Sequence, residues 1–401
     1  MPSLRAAAAA AVALFAISPA LRAAEPVDAG VSVADDDELD SPLVSGPATA
    51  AAKNAGASAA ISEEIGTIQP DSTAQNPVGA TFTNNLTGII NLGDHWSIDL
   101  GFLLSLEKGS PPPSGSNFKD SGGHVSLFTL GADWDSGDHW SFGLLTDLSP
   151  KSTTNSSTTL NTQMGNNATT TPTDARLGVT SSDLDLQAGA SYDTNGESNL
   201  EWLFTGNLMG GHLATNQQVT AVYDRATMRD LDAAQLRAYC ATHPKPCGKS
   251  LNSALQDRDY HLDSLKLDLG GTATIFGSTD IALTGDVYLY AQDPSEVGYF
   301  NVATSGRALA GGAGIPIAPL RANGRLDLVH RFGDLSVKVW GSVGEYAVAG
   351  DGTTYGSGIK VQYKFTRTFR MWLTGNVQHD VDDTGNNFST RGLSMGGGFR
   401  F

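Results

Sequence analysis

The sequence predicts an all-β protein, a transmembrane antiparallel up-and-down β-barrel of about 12 strands, and three observations carry that reading. A dozen segments alternate apolar and polar residues with period 2, their connections are short and long in turn, and aromatic residues gather where the short connections fall. Within 401 residues, 46 glycines and a hydrophobic fraction of 40% exclude simple disorder. The net charge of -17 argues against a nucleic-acid partner and against docking on anionic lipid.

The amino terminus reads as a secretory signal peptide over residues 1–23. Met1 to Arg5 carry one charged side chain, Ala6 to Ile17 are apolar, and small residues follow at Ser18-Pro19-Ala20 or Leu21-Arg22-Ala23. Residues 24–90 are rich in Ala, Ser, Pro and acid, with "ADDDELD" at 34–40, and read as a flexible periplasmic segment with room for a short helix across Ala50 to Ile65. A recruitment arm and a calcium site in the acid run are the alternatives. The barrel itself is assigned to residues 91–401.

The first strand, "WSIDLGFLLSL" (96–106), places Trp96, Ile98, Leu100, Phe102, Leu104 and Leu106 on one face, with only Leu103 out of pattern. The alternation returns in "HVSLFTLGADW" (124–134), "WSFGLLTDL" (140–148), "DLDLQAGASY" (183–192), "LEWLFTGNLM" (200–209) and "SLKLDLGGTATIF" (264–276). Then come "DIALTGDVYLYA" (280–291), "LRANGRLDLVHRF" (320–332), "LSVKVWGSVGEYA" (335–347), "GSGIKVQYKF" (356–365), "FRMWLTGNVQ" (369–378) and "RGLSMGGGFRF" (391–401). "ATFTNNLTGIINLG" (80–93) is also strand-like; as one of two further strands it would make fourteen, the alternative count.

Tight turns at Ser136-Gly137, Asn195-Gly196, Gly277-Ser278, Gly333-Asp334 and Thr366-Arg367 separate polar loops at 107–121, 149–181, 210–257 and 292–318. Short turns then face the periplasm and long loops the exterior. "GDHWSIDLG" (93–101) and "GDHWSFGLL" (137–145) repeat one turn and strand start. Their Asp-His pairs lie at the end away from where barrel proteases act, so each reads as a turn with a local hydrogen bond.

Trp96, Trp134, Trp140, Tyr192, Trp202, Phe332, Tyr363, Phe365, Phe369 and Phe399 all start or end strands beside short turns or the terminus, at one level. That is the placement of an aromatic girdle at a membrane interface. The end of the chain resembles the carboxy-terminal signal of bacterial outer-membrane β-barrels, a porin-like superfamily, at Leu393, Met395, Phe399 and Phe401, with Gly397 a weak member. The resemblance implies an outer-membrane location and recognition by the barrel-insertion machinery.

If the apolar face meets lipid, the other face lines the interior. There the sequence places Asp99, Asp133, Asp147, Asp183, Asp185, Glu201, Asp268 and Asp286 on the first seven strands. On the last five it places Arg321, Arg325, Arg331, Lys338, Lys360, Lys364, Arg370 and Arg400, with Lys266 and Asp327 breaking the rule. Separated charges set up a field that filters small polar solutes in an open pore, or they pair and fill a closed interior. Tyr288, Tyr290, Trp340 and Trp372 also point inward, as stacking surfaces or as filling.

The segment 227–250 has helical spacing followed by Cys240 and Cys247, which read as one disulfide stapling a small cap. No zinc, phosphate-loop or nucleophile-elbow pattern is present. His330 faces outward, as a histidine of an outer-membrane phospholipase would, but it has no serine-centred partner motif and stands near a periplasmic turn. The sequence therefore predicts a non-enzymatic barrel without cofactor or metal, passing small polar solutes. The alternative is a closed barrel acting through its extracellular loops as an adhesin.

Overall fold

The computed structural model describes residues 57–70, 79–108, 122–162, 171–194, 200–224, 228–231, 233–242, 258–292, 320–347, 353–381 and 387–400. The predicted signal peptide, the acid run, the turn Asn195-Gly196, Cys247 and Phe401 lie outside them.

The strands are β1 (Ala57–Pro70), β2 (Gly79–Leu92), β3 (Trp96–Lys108), β4 (Gly122–Asp135), β5 (Trp140–Thr162), β6 (Thr171–Asp193) and β7 (Leu200–Asp224). They are followed by the short β8 (Arg229–Leu231), helix α1 (Ala233–Thr242), β9 (Arg258–Ile275), β10 (Thr279–Tyr290) and β11 (Leu320–Phe332). The last are β12 (Leu335–Tyr346), β13 (Thr353–Lys364), β14 (Phe369–Val381) and β15 (Asn387–Arg400). Strand β8 pairs only with β7, and the other fourteen pair antiparallel with both neighbours, closing where β1 meets β15 at Ile61↔Phe399 and Ile65↔Met395. Closure leaves no edge, so every strand satisfies its backbone groups within the wall.

Fourteen is the alternative count, and the extra pair is β1 and β2. Residues 57–70 and 79–92 therefore belong to the wall, which corrects, for these residues, the assignment of 24–90 as a flexible segment and, from Ala57 on, the helix expected across Ala50 to Ile65. The physical reason lies in β1, whose outward face carries Ala59, Ile61, Glu63 and Ile65, too few large apolar side chains to display the alternation.

The faces divide as period 2 requires. Leu100, Leu130, Leu144, Leu186, Leu208, Leu267, Leu283, Leu328, Ile359, Leu373, Leu393 and Met395 are exposed on the outer surface, up to 65% at Leu144. Polar side chains beside them in the chain, such as Asp99, Asp133, Thr205, Asn207, Asp268, Asp327 and Gln362, are buried. A soluble sheet would do the opposite; hydrocarbon is the solvent that accepts this outer face.

β5, β6 and β7 run to 23, 23 and 25 residues, whereas a tilted strand needs about 9–11 to cross. Their upper halves, with the start of β9, rise on the exterior side. Parts of the predicted loops 149–181 and 210–257 are therefore β-structure, paired through the backbone as far as Thr162↔Thr171 and Thr173↔Asp224. Val219, Val222 and Tyr223 of β7 are buried with Leu236 of α1, and Arg237 donates to the Val219 carbonyl. The expected helix is thus present over ten residues, capping this extension.

Candidate functional site: the inward face of the barrel

At the periplasmic end the outward rings form neighbouring pairs. Trp96 is in register with Trp134, Trp140 packs edge-on to Tyr192 at 5.0 Å, and Trp202 stacks with Phe204. Tyr363, Phe365, Phe369 and Phe399 follow one another at 4.8, 5.7 and 4.6 Å, and Phe332 sits 4.2 Å from His330. The two repeated turns are tied to their neighbours: His95 Nδ1 lies 2.7 Å from the Asp135 carbonyl and His139 Nδ1 2.7 Å from the Asp193 carbonyl. His330 packs against Thr279, its Nδ1 2.7 Å from the hydroxyl oxygen, beside a periplasmic turn.

Inside, the charges sort by arc. From β9 to β12 acids and bases are joined. Lys266 Nζ reaches Asp286 at 3.2 Å and Asp268 at 3.5 Å, and Asn207 donates to Asp268. Arg325 holds Asp327 through two nitrogens at 2.8 and 2.9 Å, and Lys338 reaches the same carboxylate at 3.1 Å. Arg331 donates to Asp280, a buried inward acid missing from the sequence-derived set. Such pairs hold because each buried charge keeps its partner.

Arg321 is the exception and corrects its assignment to the interior. A β-bulge between Leu320 and Ala322 inserts a residue, and Arg321 instead pairs at 2.7 Å with Glu345, on the same outward face as Val343. A one-residue shift exchanges the faces.

From β3 to β6 the picture differs. Asp99, Asp133, Asp147, Asp183 and Asp185 all point inward, and among the described residues none forms an ion pair. Asp147 is in register with Asp185 and accepts from the Thr129 hydroxyl at 2.5 Å. Glu201 shares the inward parity but stands exposed at the periplasmic rim. Lys360, Lys364, Arg370 and Arg400 point inward on β13 to β15; Lys364 is in register with Arg370.

Aromatic rings lie flat on the inner wall where glycines make room. The indole of Trp340 covers Gly358, with the Arg325 guanidinium 5.5 Å from the ring. Trp372 lies across Gly396 and Gly398 and donates from Nε1 to Glu64 of β1 at 2.7 Å, with Lys360 5.0 Å from its ring. Tyr288 and Tyr290 stack at 6.3 Å, with Lys266 over Tyr288. The partners of these rings were not legible in sequence, since Trp372 and Glu64 are 308 residues apart.

Above the outer edge of the wall, His212 Nδ1 meets Asp263 Oδ1 at 2.6 Å, His261 stacks on His212, and Gln292 donates to Asp263 at 2.7 Å. The His212 hydrogen bond, then that of Gln292, holds the Asp263 carboxyl below the usual carboxylate range. Among the described residues no group of three or more His, Cys, Asp and Glu is placed to hold a metal ion.

Fold and faces together define a membrane-spanning β-barrel of fourteen antiparallel strands with an apolar outer face. No family model and no curated protein matches the chain. Among solved structures it is similar to a Pseudomonas aeruginosa FadL homologue, at 11% identity and a TM-score of 0.51 over 92% of this chain and 95% of that one. It is also similar to the CymD monoaromatic hydrocarbon channel, at 12% identity and 0.50 over 88% and 91%. A TodX monoaromatic hydrocarbon channel mutant gives 11% and 0.51 over 89% and 93%. At such identity the likeness is one of fold.

Proposed function

We propose that this barrel is a transport channel for small solutes, and that polar, cation-bearing solutes pass along the acidic arc of its inner wall. The observation that carries the reading is the set Asp147, Asp183 and Asp185 on β5 and β6, which forms no ion pair among the described residues, whereas beyond β7 the acids of β9 to β12 are tied to bases. Carboxylates without an ion pair make the potential negative along this arc, which raises local cation concentration there and disfavours anions. The test is single-channel conductance of the refolded protein in a planar bilayer, with the reversal potential measured in a salt gradient. Cation-selective conductance that loses its preference when Asp147, Asp183 and Asp185 become Asn supports the reading. Electrical silence in a folded barrel refutes it and moves the function to the extracellular extension of β5 to β7.

A second reading concerns aromatic solutes. The inward Tyr288, Tyr290, Trp340 and Trp372 offer ring faces along one side of the lumen, and two of the fold neighbours are channels named for monoaromatic hydrocarbons. Uptake of a monoaromatic probe into proteoliposomes that falls on Trp340→Leu, with salt conductance unchanged, favours this substrate class.

A further inference from the structure

The inward face at the periplasmic end of β2, β3 and β4 carries a set of oxygens that the wall leaves unserved. Asn91, Ser97 and Asp133 stand side by side in register across the three strands, and Asp99 is the next inward residue on β3. Asp133 is 0% exposed, Ser97 4% and Asp99 6%. The carboxyls of Asp99 and Asp133 lie within hydrogen-bonding reach of each other, and apart from that their oxygens and the Ser97 hydroxyl are buried without a hydrogen-bonding partner. Asp99 leans over β4 where Gly131 has no side chain; a Cβ there would stand 3.1 Å from Asp99 Oδ2. The glycine thus admits one carboxylate beside the other.

Two adjacent buried carboxylates with no base beside them cannot both stay charged unless something positive joins them, because each desolvated charge costs several kcal/mol. A proton shared by the two acids would neutralise one of them and leave the other charge and the Ser97 hydroxyl unserved. A divalent cation balances both carboxylate charges and takes lone pairs from the acids and the neighbouring Ser97 hydroxyl. The donors are all hard oxygens with two negative charges, the set that suits a calcium-type divalent ion rather than a nitrogen- or sulfur-seeking metal.

We infer that Asp99, Asp133 and Ser97 form a binding site for a hard divalent cation of calcium type, joining β3 to β4 at the periplasmic floor of the lumen. Asn91, in register with Ser97, flanks the site on β2. The site lies apart from Asp147, Asp183 and Asp185, so it stands whether or not the lumen conducts.

The test is calcium titration of the refolded full chain by calorimetry, with folding checked by gel mobility before and after heating. The wild type binds one more calcium per barrel than Asp133→Asn or Asp99→Asn, while Ser97→Ala keeps that ion with weaker affinity. Equal stoichiometry in wild type and carboxamide variants overturns the inference, as does a wild type that binds none, and the pair then shares a proton. Should the variants fail to fold, crystals of the wild type grown with calcium decide: an anomalous peak between Asp99 and Asp133 supports the site, and none there refutes it.

Discussion

Adding one methyl group at Gly396 breaks the inner seam of the barrel. A Cβ at this position would lie 2.4 Å from Cε2 and Cζ2 of Trp372 and 2.6 Å from its Nε1, so the indole must leave the wall. Displacement removes the 2.7 Å bond to Glu64, and a hydrogen bond to a charged group is worth about 1.5–3 kcal/mol. Overpacking of a fitted site adds about 1–3 kcal/mol. Against this, exchanging glycine for alanine inside a strand is favourable by about 0.5–1 kcal/mol. The expected net loss for Gly396→Ala is therefore roughly 2–5 kcal/mol. Gly397→Ala is the control next door, for its Cβ points outward and meets nothing nearer than 3.6 Å. That change should stay within about 0.5 kcal/mol of wild type. Urea unfolding in lipid vesicles, followed by tryptophan fluorescence, measures both. Equal midpoints for the two variants, or a Gly396→Ala penalty that persists in a Trp372→Ala background, would refute the reasoning.

Arg331→Met leaves Asp280 buried without its base and should cost about 3–5 kcal/mol in the same unfolding assay, much of it recovered by adding Asp280→Asn. His95→Ala removes one exposed turn bond, so the expected loss is about 0.5–1.5 kcal/mol with conductance unaltered. The lowered Asp263 carboxyl makes the His212–Asp263–Gln292 clasp sensitive to acid. Its folded value lies below the unfolded one, so the stabilisation is present above about pH 4 and disappears as the pH falls through the lowered folded value. Amide protection factors at the β7–β9 pairing, corrected for the intrinsic pH dependence of exchange, should therefore fall in acid in wild type and show no such step in Asp263→Asn.

Period-2 alternation made β3 to β7 and β9 to β15 legible, because lipid favours large apolar side chains at most outward positions. β1 escaped because Ala59 and Glu63 dilute its outward face, and β2 could not be placed without it as a partner. The upper halves of β5 and β6 have no hydrocarbon to meet and no wide core to fill, so Thr, Asn and Ser there give no periodic signal. Facing could be read residue by residue, except at Arg321, where a bulge breaks the count. Pairing could not: Asp280 and Arg331 meet across 51 residues of chain, and only the register of β10 against β11 brings them together.

The turn histidines bear on how the periplasmic rim behaves in changing surroundings. His95 brackets a single residue of the next hairpin: its backbone carbonyl accepts from the Asp135 amide at 2.8 Å, while its ring nitrogen meets the Asp135 carbonyl; His139 does the same to Asp193. A carbonyl only accepts, so the ring must carry its hydrogen on Nδ1. Both the neutral ring in that tautomer and the imidazolium do so. Unlike His212, which faces a carboxylate, these two rings hold their neighbours in either protonation state, and three consecutive turns stay strung together when acid loosens the opposite end of the molecule.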